Sequence, residues 1–294
     1  MQNILNALTF DVEDYFQVSA FNNAVDRSSW NDRKRRVDGN TRGLLEILDT
    51  ANIKATFYIL GWVAEREPEL VKAIAAAGHE VASHGYSHKL IYTQAQTEFT
   101  EETHKSKAIL EDLVQTPVTS YRAASYSITR ASLWALDVLY EAGFRTDSSI
   151  FPIRHDRYGL LGGPLEPHCL ELQNGGRLVE FPISTLKTAG VTVPVSGGGY
   201  FRLYPYALSR GLARRVNAQG RPFVFYLHPW EIDPEQPRVD VSGFTRFRHY
   251  NNLSKCRRRL EHLLTDFRFS TVTNCIESNY GDNALTSYSY ADST

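Results

Sequence analysis

Short β-branched and aromatic runs alternate along this chain with segments of helical period, and that rhythm restricts the fold more than any other feature. Residues 4–11 read as a strand that ends in a carboxylate cluster. A helix opens at 43–48, with apolar residues at i, i+3 and i+4, and 55–60 is the next strand. Pro68 starts a helix that Gly78 ends as a left-handed cap. Strands at 80–83, 118–123 and 144–150 follow, with helices at 97–113 and 131–142 between them. Farther on come a helix at 205–218, a strand at 222–227, a helix at 252–265 and a last strand at 269–275. Such alternation predicts a parallel sheet covered by helices. Six or seven units within 294 residues favour an α/β barrel of the TIM type, in one domain over 1–278. The rhythm breaks at 158–200, where a Gln173-Asn174-Gly175-Gly176-Arg177 turn between short apolar runs predicts a hairpin insertion. Residues 279–294 are rich in Tyr, Ser and Asp without period and are expected to be a mobile tail.

Composition narrows the function classes. Hydrophobic residues make up 42% and charged ones 22%, as in ordinary globular proteins. A formal charge of −1 provides no field for a polyanion, so nucleic acid is not expected as a partner. No apolar run approaches the ~18 residues of a membrane span. The first ten residues show no basic, signal-like start, so the chain reads as soluble and cytoplasmic. Cys169, Cys256 and Cys275 are odd in number, widely spaced and outside any C-x-x-C pair, which predicts buried or idle thiols in a reducing compartment.

Potentially reactive side chains gather at the C-terminal ends of the expected strands, the rim where barrel active sites are built. Asp11, Glu13 and Asp14 crowd three carboxylates into four residues, an arrangement that a cation would relieve. His84 and His88, four apart, would share one face of a helical turn and could aim both imidazoles at one ion. Two nitrogens and one oxygen leave coordination positions open, the catalytic rather than the closed structural pattern. Arg122 leaves its strand toward the rim and could hold an ionised Asp. His228 ends the apolar run 223–227, where burial beside carboxylates suits a proton donor. Tyr200, Phe201, Arg202 and Trp230 could form an aromatic lip for pyranose rings. The Gly197-Gly198-Gly199 run lacks the strand and helix context of a nucleotide loop.

The order Thr9-Phe10-Asp11, His84-x-x-x-His88, Tyr121-Arg122, Asp147 and Leu227-His228 resembles the NodB-homology polysaccharide deacetylases, carbohydrate esterase family 4. Asp11-Val12-Glu13-Asp14-Tyr15-Phe16, Gly198-Gly199-Tyr200-Phe201-Arg202 and His228-Pro229-Trp230-Glu231 resemble the branch encoded with exopolysaccharide and exosortase loci. The resemblance implies a distorted (β/α)7 barrel, one divalent metal (usually zinc) and hydrolysis of N-acetyl groups from N-acetylhexosamine units of a glycan. By position, it implies Asp11 as general base, Arg122 as the residue holding it, and His84 and His88 as metal ligands. It likewise implies Asp147 as the carboxylate tuning the catalytic histidine, and His228 as general acid. The ligand carboxylate is Glu13 or Asp14, with Glu13 preferred. Gly85 stands where Ser or Thr is usual, and Ala124 where Pro is usual. The latter frees φ in the turn whose backbone N–H, at Ser125 or Tyr126, would contact the oxyanion. Two other readings share these residues: an amidohydrolase of small amides such as allantoin, and a catalytically silent glycan-binding protein.

Overall fold

The computed structural model describes residues 4–155, 158–188, 190–281 and 285–290. Its strands are β1 (Leu5–Val12), β2 (Thr56–Ile59), β3 (Glu80–Ser83), β4 (Ser120–Tyr121), β5 (Thr146–Asp147) and β6 (His168–Glu171). They continue with β7 (Arg177–Glu180), β8 (Thr185–Thr188), β9 (Val191–Pro194), β10 (Val224–Leu227), β11 (Arg268–Ser270) and β12 (Ser287–Tyr288). The main sheet runs β10-β1-β2-β3-β4-β5-β7-β6-β12, with β11 also on β1. Every pairing from β10 to β7 is parallel, as the strand–helix alternation requires. Among the described residues the path does not close on itself, so the barrel is a strongly distorted, open one.

Alternation along the strands separates two apolar cores. Leu8, Phe10 and Val12 of β1 face outward into the sheet–helix core, as do Phe57, Ile59, Tyr121, Phe225 and Leu227. Ala7, Tyr58, Ala82, Val224 and Tyr226 face inward into a smaller core. The covering helices include Val37–Ala51, Pro68–Ala76, Gln96–Val114, Trp134–Glu141, Tyr206–Ala218 and Leu253–Asp266. Among the described residues no helix is long and apolar enough to cross a membrane. All three cysteines are buried and free.

Three expectations change. The 173–177 turn does join a hairpin, but β7 pairs with β5, so the segment read as an insertion supplies a strand of the parallel sheet. A second hairpin, β8–β9, forms its own two-stranded sheet. The strand expected at 269–275 stops at Ser270, because Thr271 caps a helix Val272–Tyr280 by accepting the Asn274 N–H. In the tail expected to be mobile, Ser287–Tyr288 pairs with β6 and Tyr290 is buried. Residues 282–284 and 291–294 of that tail lie outside the described residues.

Candidate metal and proton-transfer site

Inward parity brings the chemistry together. On β1 the inward positions are Ala7, Thr9 and Asp11, and the next residue of that parity is Glu13; Val12 and Asp14 fall on the opposite side. The same alternation aims His84 inward after Ala82, Arg122 after Ser120, and His228 after Tyr226.

Arg122 is fully buried, and its Nη1 donates to Asp11 Oδ1 at 2.7 Å and to Thr9 Oγ1 at 2.7 Å. Its Nε and Nη2 donate to the Ser148 carbonyl and Oγ at 3.1 and 2.9 Å, and Tyr58 lies flat against it, 4.1 Å from Cζ to ring centre. A guanidinium fixed on both edges holds the Asp11 carboxylate in one orientation.

Glu13, His84 and His88 offer ligand atoms that all lie within 4.8 Å of one another. His84 Nδ1–H donates to the Arg122 carbonyl at 2.8 Å, which leaves its Nε2 lone pair free. Burial, with help from His88, lowers the His84 pKa to about 4, so the ring is neutral at pH 7. Glu13 Oε2 stands 2.8 Å from His88 Nε2 with no aligned hydrogen bond, and both Glu13 Oε2 and His88 Nδ1 are buried without a hydrogen-bond partner. Burial would raise the Glu13 pKa, but the surrounding imidazoles of His88, His228 and His84 outweigh it and bring it to about 2. An anionic acceptor left unbonded between two imidazoles suits a divalent cation, and two nitrogens with one oxygen suit zinc.

The histidine pair does not ride on a helix. Residues 84–90 are a loop in which Gly85 (φ 74°) and His88 (φ 53°) both take left-handed backbone. An added Cβ at Gly85 would stand 3.2 Å from Tyr121 Oη, so the Gly in place of Ser or Thr suits this turn. Arg27 braces the loop by donating to the Ser87 and His88 carbonyls at 3.0 and 3.1 Å.

Asp14, the alternative ligand, points away. Its carboxylate accepts from the N–H groups of Tyr15 at 2.9 Å, Arg36 at 2.7 Å and Val37 at 3.1 Å, and so caps the helix Val37–Ala51 from a distance. Burial raises its pKa to about 6.

His228 brings a second correction. Among the described residues the carboxylates within 4 Å of its ring are Glu231 at 2.8 Å (on Nδ1), Glu13 at 3.5 Å and Asp11 at 3.9 Å (both on Nε2). Asp147 is not one of them. It stands in register with Tyr121 and Glu180, and parallel register gives it the outward face of Tyr121. There it accepts from Ser149 Oγ at 2.6 Å and stands in register with Glu180, and burial pushes both carboxyls upward. Glu231 was missed in the sequence; its signal was the capping-box spacing, three residues after His228 with Pro229 between. Burial lowers the His228 pKa, but Glu13, Glu231 and Asp11 outweigh it and raise it to about 9.

The expected sugar lip also changes. Trp230 is buried, stacks between His228 and His249, and donates its indole N–H to Glu13 Oε1 at 3.1 Å. Arg202 is buried and paired with Glu231, Phe201 is core, and Tyr200 is half-buried against the inner core. Ser125 (φ 52°) and Tyr126 (φ 56°) form a left-handed turn beside Arg122. The Tyr126 N–H is already spent on the Ala123 carbonyl, so the Ser125 amide is the remaining candidate for an oxyanion.

A family model described as polysaccharide deacetylase matches residues 7–146, and one described as a domain of unknown function, DUF3473, matches 148–277. A peptidoglycan-N-acetylglucosamine deacetylase of Bacillus cereus is 38% identical over 73 residues, 25% of this chain and 26% of that protein. A chitooligosaccharide deacetylase of Bradyrhizobium is 27% identical over 99 residues, 34% of this chain and 43% of that one. The chain thus spans from about a quarter to under half the length of these curated relatives. A solved structure described as a polysaccharide deacetylase from Mycobacterium smegmatis shares the fold, with a TM-score of 0.63 at 22% identity, over 97% of this chain and 92% of that one. So does PuuE allantoinase, with a TM-score of 0.61 at 13% identity, over 95% and 92%. Residues 7–146 therefore match the polysaccharide deacetylase family model, and residues 148–277 match the DUF3473 model that follows it.

Proposed function

We propose that this chain removes N-acetyl groups from N-acetylhexosamine units of a bacterial polysaccharide or its precursor. The observation that carries the reading is the convergence of Asp11–Arg122, the Glu13/His84/His88 cluster and His228 on one inward face. A silent glycan binder needs none of these groups. The resemblance of the motifs to the exopolysaccharide branch points to a secreted polymer or its biosynthetic intermediate as substrate.

Glu13, His84 and His88 would hold the cation. A divalent ion there, with zinc the best match to the donors, supplies Lewis-acid polarisation of the acetyl carbonyl and lowers the pKa of a bound water. Asp11, oriented by Arg122, accepts the proton of the attacking water. The Ser125 N–H faces the developing oxyanion, a contact whose loss typically costs ~10²–10³-fold in rate. His228 gives its Nε2 proton to the departing nitrogen, so acetate and the free amine leave. At 19% side-chain exposure His228 is the most accessible of the set, which suits a group that meets a leaving group arriving from solvent.

The test is acetate release from N-acetylglucosamine oligomers and from peptidoglycan, with chelator, without it, and with zinc restored. Allantoin is included as a small-amide control. Chelator-sensitive acetate is expected from a glycan. Release from none of them sinks the proposal, and allantoin turnover alone favours the amidohydrolase reading.

A further inference from the structure

The site draws on both matched segments. Asp11, Glu13, His84, His88 and Arg122 come from 7–146, whereas His228, Trp230, Glu231, Arg202 and His249 all come from the segment described as having no known function. We propose that this second segment builds the proton-donating half of the site: Glu231, held by Arg202, positions His228, and Trp230 tethers Glu13. The inference rests on the deacetylase reading for its kinetic consequences and on geometry alone for its structural ones.

The arm is tightly specified. Glu231 Oε1 accepts from both the backbone N–H and Nδ1 of His228, at 3.1 and 2.8 Å, so one oxygen fixes the main chain and the ring together. That leaves Nε2 facing Asp11 and Glu13. Glu231 Oε2 is taken by Arg202 Nε. Arg202 in turn spends its other nitrogens on the carbonyls of His249 (2.7 Å), Asn251 (2.9 Å) and Arg248 (3.2 Å). A buried guanidinium bonded along all its edges cannot follow a drifting carboxylate, so Glu231 has one place to be. The stack His228–Trp230–His249, with ring centres 5.0 and 4.2 Å apart, prevents the imidazole from tilting. His249 is itself bonded through Nε2 to Gln236 Oε1 at 2.7 Å. The Trp230 N–H occupies Glu13 Oε1 and leaves Oε2 turned toward His88. The arm thereby restrains the acid and the ligand carboxylate together. The same task was expected of Asp147, which register places on the outward face.

Four variants test this: Glu231→Gln, Glu231→Asp, Trp230→Phe and Asp147→Asn. Three readouts apply: kcat and KM on a chitooligosaccharide, zinc affinity by chelator competition, and the downfield Nδ1–H proton of His228 in the metal-free protein by NMR. Gln at 231 can give its oxygen to Arg202 only by turning its NH2 against the His228 Nδ1–H, so no orientation of the amide serves both partners. Glu231→Gln is expected to lower kcat by about 10²-fold or more with KM and zinc affinity within twofold, and to abolish the Nδ1–H signal. Glu231→Asp should recover part of both. Trp230→Phe should weaken zinc about tenfold, as loss of a group that orients a ligand typically does. Asp147→Asn should leave the Nδ1–H signal and the kcat/KM pH profile intact. The proposal is overturned if Glu231→Gln keeps the Nδ1–H signal or retains kcat within threefold, or if Asp147→Asn reproduces its loss. A wild-type protein that releases no acetate from any glycan would sink the deacetylase reading alone, since the NMR and zinc readouts need no substrate.

Discussion

Glu13 and Asp14 are neighbours of like charge that the structure sends to opposite tasks, and a pair of alanine variants should separate them. Removing the Asp14 carboxylate orphans the buried N–H donors of Tyr15 and Val37 and the half-buried one of Arg36. At ~1–3 kcal/mol for each of the two buried donors, the midrange cost is about 4 kcal/mol. A loss of about 4 kcal/mol is a fall in Tm of about 8–16 °C for a chain of this size. The sign with pH follows from the direction of the Asp14 pKa shift. A carboxyl whose folded pKa is raised contributes stability below its unfolded value and loses it as pH rises through about 6. The deficit of Asp14→Ala is therefore larger at pH 5 than at pH 8. Zinc affinity should be unchanged. Glu13→Ala should do the reverse, losing zinc by more than the ~10–100-fold typical of outer partners while Tm in chelator stays within a few degrees. Calorimetry at both pH values and competition against a chromophoric chelator measure the two effects. An Asp14→Ala protein that melts normally and has lost zinc would refute the assignment of the two carboxylates.

Three further outcomes are expected. Asp11→Asn should reduce acetate release by at least ~10²-fold while zinc content stays normal, since the side chain lies 2.7 Å from Arg122 and outside the ligand cluster. Arg27→Ala releases the carbonyls of Ser87 and His88 and should weaken zinc about tenfold with little change in Tm, as checked by titration and melting. Glu180→Gln should raise Tm relative to wild type, and more so at pH 8 than at pH 5. The buried Glu180–Asp147 pair holds its pKa values above the unfolded ones, so its contribution declines as pH rises, and an amide can still accept from Ile150 N–H while donating to Asp147. A variant that melts below wild type at pH 8 would contradict this.

Much of the site was legible in the sequence because strand parity is local. Asp11 stands near the end of its strand, and His84, Arg122 and His228 one residue past theirs, all at inward positions that composition plus spacing suffice to see. The preference for Glu13 over Asp14 could have been argued the same way, two residues being one full period of a strand while three are not. Asp147 could not have been resolved so, because its two-residue strand gives too short a run to read a face. Only its pairing with Tyr121 and Glu180 decides which side it takes.

The amino-acid order by itself determined the parallel sheet, its helical cover, the buried thiols and the set of reactive groups at the strand ends, since each follows from interactions within a few residues. What only the tertiary structure decided were the partners: Glu231 rather than Asp147 on His228, Arg202 and Trp230 inside the site rather than at its lip, and β12 docked on β6. Those choices depend on register and on contacts between segments far apart in the chain, where many alternatives have similar local energies and packing of the whole molecule selects one.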